Sequence, residues 1–402
     1  MSVLYRGYLT APILGALWMV VLSTTVTVAM SFATGLPFRP VIWVSLLWGA
    51  ALGLAALYHP FGRHGWLIGA GAILAATLAG LGPMAIEAPV VHTTIAGALL
   101  GTAFGYTMQG IIGDLPQADI TRHEFEAAVL RFLIGFGYIF FVAIVLIPFY
   151  VMVMTSLKNQ AELIQNPLDF SIDFSLGWDL LRSYREIIVD FNFGAYLWTS
   201  FYVSLLTVII TLLFSIPGAY AIARLRFRGQ AVMGRSILLI YMVPMIVLAL
   251  PIYIAFSMTG LRNTIFGIVL IYPVTTIPVA LYMLQGYFRG LPHEIEEAGL
   301  MDGLNRLQVI LKITLPLSLP ALASVALYVF MIAWNEFLLA FMLLDDPSKF
   351  TLTRGIASLN SSEIPRQHLM AGSVIATVPI MAIFLGLERF LTRGMTAGSV
   401  KG

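Results

Sequence analysis

The chain has 402 residues, of which 59% are hydrophobic and 10% charged, with a formal charge of +2 and a mean hydropathy of +0.91. That is more apolar surface than a water-soluble core of this length can enclose, so the solvent for most of the chain is lipid. So small a net charge argues against nucleic acid as a partner, and with no cysteine there is no disulfide framework, thiolate metal site or catalytic thiol.

In chain order, apolar runs of about 20 residues, long enough to cross the hydrocarbon layer as helices, predict ten spans: 10–33, 40–58, 65–82, 89–112, 130–155, 195–222, 232–257, 264–288, 318–343 and 368–391. The first follows Arg6 as a signal peptide would, but it is too long for that and further spans follow, so it reads as a retained helix. Gly97, Gly101 and Gly105 lie on one stripe of the fourth span, where a second backbone can approach, and Gly65 and Gly69 repeat the spacing. A glycine-rich chain also produces such spacings by chance. The polar stretch Gly113–Val129 then divides four amino-terminal helices from six later ones. The expected organisation is therefore all-α and polytopic: a four-helix extension over 1–113, a linker over 114–129 and a six-helix core over 130–402.

Orientation follows from basic residues, which collect in short cytoplasmic loops. The loop after the sixth span holds Arg224, Arg226, Arg228 and Arg235 without an acid, whereas 156–193 carries six acids and three bases. The first is expected inside and the second outside. By alternation both termini and the segment 292–316 are cytoplasmic, and the loop before the last span is external.

Motifs for chemistry are scarce. There is no phosphate-binding loop, no H-E-x-x-H and no serine–lysine pair within a span. His92 and Glu87 near the outer end of the fourth span read as interfacial residues. Glu336, in "AWNEFLLAF", is the one acid well inside a run, and such a group marks either a substrate path or a packing joint.

The segment "PHEIEEAGLMDGLNRLQVILKITLPLSLP", 292–320, is unlike a simple loop. Pro292 suits the start of a helix, and Glu294, Glu296 and Glu297 complement the positive end of its dipole. Gly303 can take the left-handed conformation that closes it. Leu304, Leu307 and Leu311 then fall on one side of a second, amphipathic helix lying at the membrane surface, and Pro316 and Pro320 interrupt it before the next span. These features describe a rigid helical bracket, with small residues where a partner can come close.

The spacing Glu297-Ala298-Gly299, Gly303, Ile313, Leu315-Pro316 resembles the E-A-A…G…I-x-L-P signature of the permease subunits of binding-protein-dependent ABC importers. Gly299 stands where that family usually has alanine. "YAIARLRFRGQ", "GYF" at 286–288, "AWNEFLLA" and "RFLTRGMTAGSVKG" are similar to the MalG-type carbohydrate permeases. The likeness covers about 130–402.

The resemblance implies a six-helix permease core that forms half of a sugar pathway, with a second, MalF-like permease, an ATPase dimer that holds ATP and Mg, and an external substrate-binding protein. It implies no cofactor and no catalytic residue in this chain. Glu297, Ala298, Gly299, Asp302 and Gly303 would form the ATPase-docking surface, and Ile313, Leu315 and Pro316 the connection to the following span. The tail Ala397, Gly398, Ser399, Val400, Lys401 and Gly402 would reach toward the ATPase, and the segment 156–193 with Trp178 would face the binding protein. Trp334, Asn335, Glu336, Tyr272 and Tyr282 could supply the aromatic faces and polar groups of a sugar path, or serve packing alone. The competing readings are an ion-coupled secondary transporter and a polytopic membrane enzyme.

Overall fold

The computed structural model describes residues 6–58, 66–112, 115–166, 169, 171–361 and 363–396. The chain folds as two units, Met1–Leu180 and Leu181–Gly402. By packing, the helix expected at 130–155 lies in the first.

The first unit contains α1 (Gly7–Thr34), β1 (Phe38–Pro40), α2 (Ile42–Tyr58), α3 (Trp66–Leu78), β2 (Met84–Ile86), α4 (Val90–Ile112), α5 (Arg122–Ser156) and α6 (Gln160–Gln165). Helices α1 and α2 meet at glycines. A Cβ added to Gly49 would lie 2.6 Å from the Met19 Cβ and 2.8 Å from the Ala16 Cα, so here backbone rests on backbone. Gly15 and Gly53 complete the same seam. In the α3–α4 pair Gly101 sits against the Ala70 backbone, 2.5 Å from its carbonyl oxygen to an added Cβ, and Gly97 against the side chains of Leu74 and Thr77. Gly69, expected to share such a role, faces open space. The hydroxyls of Ser23 and Ser45 meet at 3.0 Å between α1 and α2, and Ser45 donates onward to the Pro83 carbonyl at 3.1 Å. Strands β1 and β2 pair antiparallel, Phe38 opposite Ile86.

Helix α5 begins in a capping box, the Thr121 amide donating to Glu124 at 2.7 Å. Its most apolar stretch has no residue buried within this chain.

The second unit contains α7 (Arg182–Asp190), α8 (Phe193–Arg224), α9 (Gln230–Tyr241), α10 (Met245–Met258), α11 (Ile265–Gly290), α12 (His293–Met301), α13 (Arg306–Val309), a π-turn (Ile310–Thr314), α14 (Leu315–Leu317), α15 (Leu319–Trp334), α16 (Leu338–Leu343), α17 (Leu352–Ser358) and α18 (Arg366–Thr396). Its core is built around α8, α11 and α15, with Tyr220, Tyr272, Leu284, Phe288 and Val329 fully enclosed. The Thr211 and Thr276 hydroxyls join α8 to α11 at 2.6 Å.

Among the described residues six helices are long and apolar enough to cross a membrane unaided: α1, α4, α5, α8, α11 and α18 as far as Leu387. The expectation of ten continuous spans is corrected at four places. Helix α2 starts later than predicted because Pro40 belongs to β1, and α3 stops at Leu78, just before the left-handed Gly80. The run 232–257 is divided at Pro244, which has no N–H to continue α9 and restricts the residue before it. The run 318–343 is interrupted at Asn335–Phe337, between α15 and α16.

Candidate coupling site

The bracket starts at Pro292, whose extended backbone (ψ 132) sets the course for α12, with Glu294 and Glu296 in the first turn. Helix α12 ends as predicted. Gly303 is left-handed at φ +86, and the Leu304 amide donates back to the Gly299 carbonyl at 3.1 Å. Asn305 caps the second arm in a box with Gln308, each donating to the other at 2.9 Å. That arm begins at Arg306 rather than at Leu304. It runs through the π-turn to Leu317, and at Ser318 the chain bends by 79° into α15. Pro316 does not stop the arm, while Pro320 sits in the first turn of α15, where its missing N–H has no helical partner. Leu307 and Leu311 of the expected apolar stripe are exposed in this chain, while Val309 and Thr314 face its interior.

Helix α12 has two contrasting faces. Outward lie Glu297, Ala298, Asp302 and Gly303, with Met301 87% exposed and Ile295 beside them. Inward lie Glu296 and Gly299. Gly299, expected on the docking surface, is instead buried, and a Cβ added there would run into the Ile313 Cδ1. Its smallness therefore serves the closure of the bracket on itself. Ile313 and Leu315 are half-buried and Pro316 is exposed.

Glu296 is the residue that sequence reasoning misplaced. Rather than facing water at a helix start, its side chain is 7% exposed beside Arg224, which is 1% exposed, with Nε 3.6 Å from Oε1. Thr314 donates to Oε1 at 2.9 Å and Tyr220 to Oε2 at 3.2 Å. Arg224 also donates from Nη2 to the Leu291 carbonyl at 2.6 Å. Tyr220 and Arg224 stand one turn apart at the end of α8, on the same face. The available signal was the apolar chain around "YAIAR", where an arginine needs a partner if it is not to face water.

The residues nominated for a pathway divide sharply. Tyr272 is enclosed, and Trp334 is buried with its indole N–H on the Ala376 carbonyl at 3.2 Å and its ring stacked on Phe330. Glu336 accepts from the amides of Leu339 and Ala340 at 2.8 and 3.1 Å, capping α16 in mid-span. Asn335 is exposed while its amide donates to the Met331 carbonyl at 2.9 Å, and Tyr282 is exposed. Only these last two present free surface. Trp178 is exposed, and the tail from Ala397 lies outside the described residues.

A set of apolar helices long enough to cross a membrane, with a braced helical bracket between two of them, defines a polytopic membrane protein. Comparison with known proteins carries this further. Residues 215–397 match the family of binding-protein-dependent transport system inner membrane components. The chain is 38% identical over 275 residues to the inner membrane ABC transporter permease protein YcjP of Escherichia coli, covering 67% of this chain and 96% of that one. It is 33% identical over 281 residues to the trehalose/maltose transport system permease protein MalG of Thermococcus litoralis, covering 69% and 99%. In fold it resembles a chain from the crystal structure of a bacterial ABC transporter involved in the import of the acidic polysaccharide alginate, with a TM-score of 0.55 and 24% identity over 67% of this chain and 98% of that one. The chain belongs to the binding-protein-dependent transport system inner membrane component family. It is a multi-pass inner-membrane transport subunit of an ABC importer, a class that works with a partner permease, an ATPase and a substrate-binding protein.

Proposed function

We propose that the chain forms half of the transmembrane pathway of an ATP-driven importer for a sugar, an oligosaccharide or a related carbohydrate. In this reading both termini and the bracket are cytoplasmic, and the outer face of α12, formed by Glu297, Ala298, Asp302 and Gly303 together with Ile295 and Met301, docks in a cleft of a separate ATPase dimer that holds ATP and Mg. A MalF-like permease completes the pathway. Residues 130–402 act as the permease core, 114–129 as the linker and 1–113 as an extension. The trehalose/maltose permease and the arabinooligosaccharide permease AraQ of Bacillus subtilis, 29% identical over 286 residues, support the substrate class.

The observation that carries the reading is the two-faced α12. A helix of nine residues presents Met301 almost bare on one side and holds a buried ionic cluster on the other. An exposed apolar side chain beside acids, on a short helix outside the apolar runs, suits a docking element that buries it against a partner. Glu336, the acid deep inside an apolar run, is engaged as a helix cap, which gives the ion-coupled alternative no support.

The test is to purify the chain from its native membrane with its companions, to identify them and any bound sugar, and to measure uptake into vesicles. An ATPase and a second permease should accompany it, and uptake should require ATP. Uptake that follows an ion gradient with the ATPase inactive would overturn the proposal. Replacing Met301 by Asp should release the ATPase, since a charge would then be buried without a partner in the cleft.

A further inference from the structure

We propose that Arg224, Glu296, Tyr220 and Thr314 form the joint through which movement of the bracket reaches the transmembrane bundle, and that these four are positioning residues for energy coupling. The inference rests on the functional reading above, and adds to it where the force goes once it has entered α12.

The joint gathers four pieces of chain at one carboxylate and one guanidinium. Tyr220 and Arg224 end α8, Leu291 closes α11, Glu296 lies in α12 and Thr314 ends the π-turn. Leu291 immediately precedes the bracket and Thr314 lies near its end. Arg224 of α8 holds the first foot directly through the Leu291 carbonyl, and the second is tied to α8 through Glu296, which Thr314 donates to. Residues 297, 298 and 301 face out and 296 and 299 face in, so a load on the docking face passes through the thickness of one helix to Glu296 and from there to Arg224. Helix α8 then carries it through the bundle, where it packs against α11 and α15.

The composition of the joint argues for a role beyond stability. A buried ion pair is a poor stabiliser, because desolvating both charges offsets most of their attraction, and apolar residues of similar shape commonly do as well or better. This pair is not even fully satisfied, since Arg224 leaves Nε and Nη1 buried without hydrogen-bond partners. What the cluster supplies, and an apolar contact does not, is a fixed geometry: two oxygens each tied to a different element, and a guanidinium that bridges the carboxylate and the Leu291 carbonyl. The two arms of the bracket are linked at Gly303, which stands in the left-handed region with no neighbour within 4 Å of an added Cβ.

The experiment uses the intact complex in proteoliposomes and reads three quantities: ATPase co-purifying with the chain, stimulation of hydrolysis by the sugar-loaded binding protein, and sugar imported per ATP. Glu296→Gln should keep the ATPase bound while import per ATP falls by about tenfold and stimulation is largely lost, a loss within the usual span of coupling energies. The double variant Arg224→Gln with Glu296→Gln removes the uncompensated charge. If the pair is structural only, the double variant recovers coupling. If it is the joint, the ATPase stays bound and coupling does not recover.

Should either charge variant fail to assemble, Thr314→Val keeps the side-chain shape and drops one hydrogen bond, and a several-fold drop in import per ATP is expected. Unchanged import per ATP in Thr314→Val or Glu296→Gln would overturn the joint while leaving the importer reading intact. A wild-type complex that neither holds an ATPase nor imports sugar would instead remove the reading on which the joint rests.

Discussion

In the first unit the helix seams are backbone on backbone at glycines, whereas in the second the helices are joined through polar side chains. Helices α1 and α2 meet through Gly15, Gly49 and Gly53, and α4 meets α3 through Gly101, with the Ser23 and Ser45 hydroxyls as a small polar addition. In the second unit, helices are joined by the Arg224–Glu296 cluster, by Thr211 with Thr276, and by the Ser200 hydroxyl accepting from the Leu352 amide at 2.7 Å. Between helices in lipid, where water does not drive association, both devices work. They fail differently. A glycine seam fixes distance and has no slack, while a polar joint fixes register and can be remade in a second arrangement. The unit that matches the transport family is the one built from such joints.

The largest test of this contrast is Gly49→Val. The added carbons would enter the space of the Met19 Cβ and the Ala16 Cα, neither of which can turn aside. A loss of about 3 kcal/mol is expected, at the upper end of ordinary overpacking, and would be read as a lowered thermal unfolding midpoint of the purified protein in detergent. An unchanged midpoint would mean the seam is not tight.

The next largest sits in the second unit. Glu336→Ala uncaps α16 and should cost about 2 kcal/mol locally. Hydrogen exchange at the Leu339 and Ala340 amides is the measure, since those two lose their acceptor, and protection equal to wild type would exclude the cap. Smaller again is a matched pair in the α3–α4 contact. Gly101→Ala presses on the Ala70 backbone and should destabilise by about 1 kcal/mol. Gly69→Ala meets nothing and should stabilise by up to about 1 kcal/mol through helix propensity. Equal effects at the two sites would break the distinction between a glycine used for packing and one that is incidental.

The smallest effect concerns pH. Glu186 in α7 accepts from Arg182 at 2.7 Å and lies 2.8 Å from the His368 ring, and these contacts, Arg182 foremost, hold its carboxyl below the usual carboxylate range. A lowered folded pKa means the contribution is complete above the ordinary carboxylate value and disappears as pH falls through the lowered one. Glu186→Gln should therefore cost well under about 1 kcal/mol at neutral pH, as partly exposed pairs do, and should flatten the acid limb of a stability profile. An acid limb of undiminished slope would assign the effect to other carboxylates.

Local features were legible in the sequence. The start of α12, the left-handed Gly303 and the stripe of Gly97 and Gly101 each follow from a few adjacent residues and from backbone geometry. Features set by distant partners were not. Glu296 carried a plausible local role at a helix start, and nothing nearby indicates that its partner Tyr220 lies 76 positions earlier. Gly299 reads equally well as a docking residue or as the floor against Ile313, and only packing decides between them. The breaks at Pro244 and at Asn335–Phe337 were hidden by hydropathy, which averages over a window and so passes across a cap such as Glu336. Tyr272 and Trp334 illustrate the same limit, because an aromatic ring in lipid has as much use in a core as on a sugar.

The corner of 79° between the second arm of the bracket and α15 makes the pair a crank. In the proposed importer, thrust delivered along the arm would emerge as torque on α15. With 16 residues α15 is about 24 Å long, so a tilt of about 10° sweeps its far tip through about 4 Å. That is the width of a water molecule and a little more, so in the proposed importer a shallow rotation at one end of α15 would be enough to unseal or close a passage near the other.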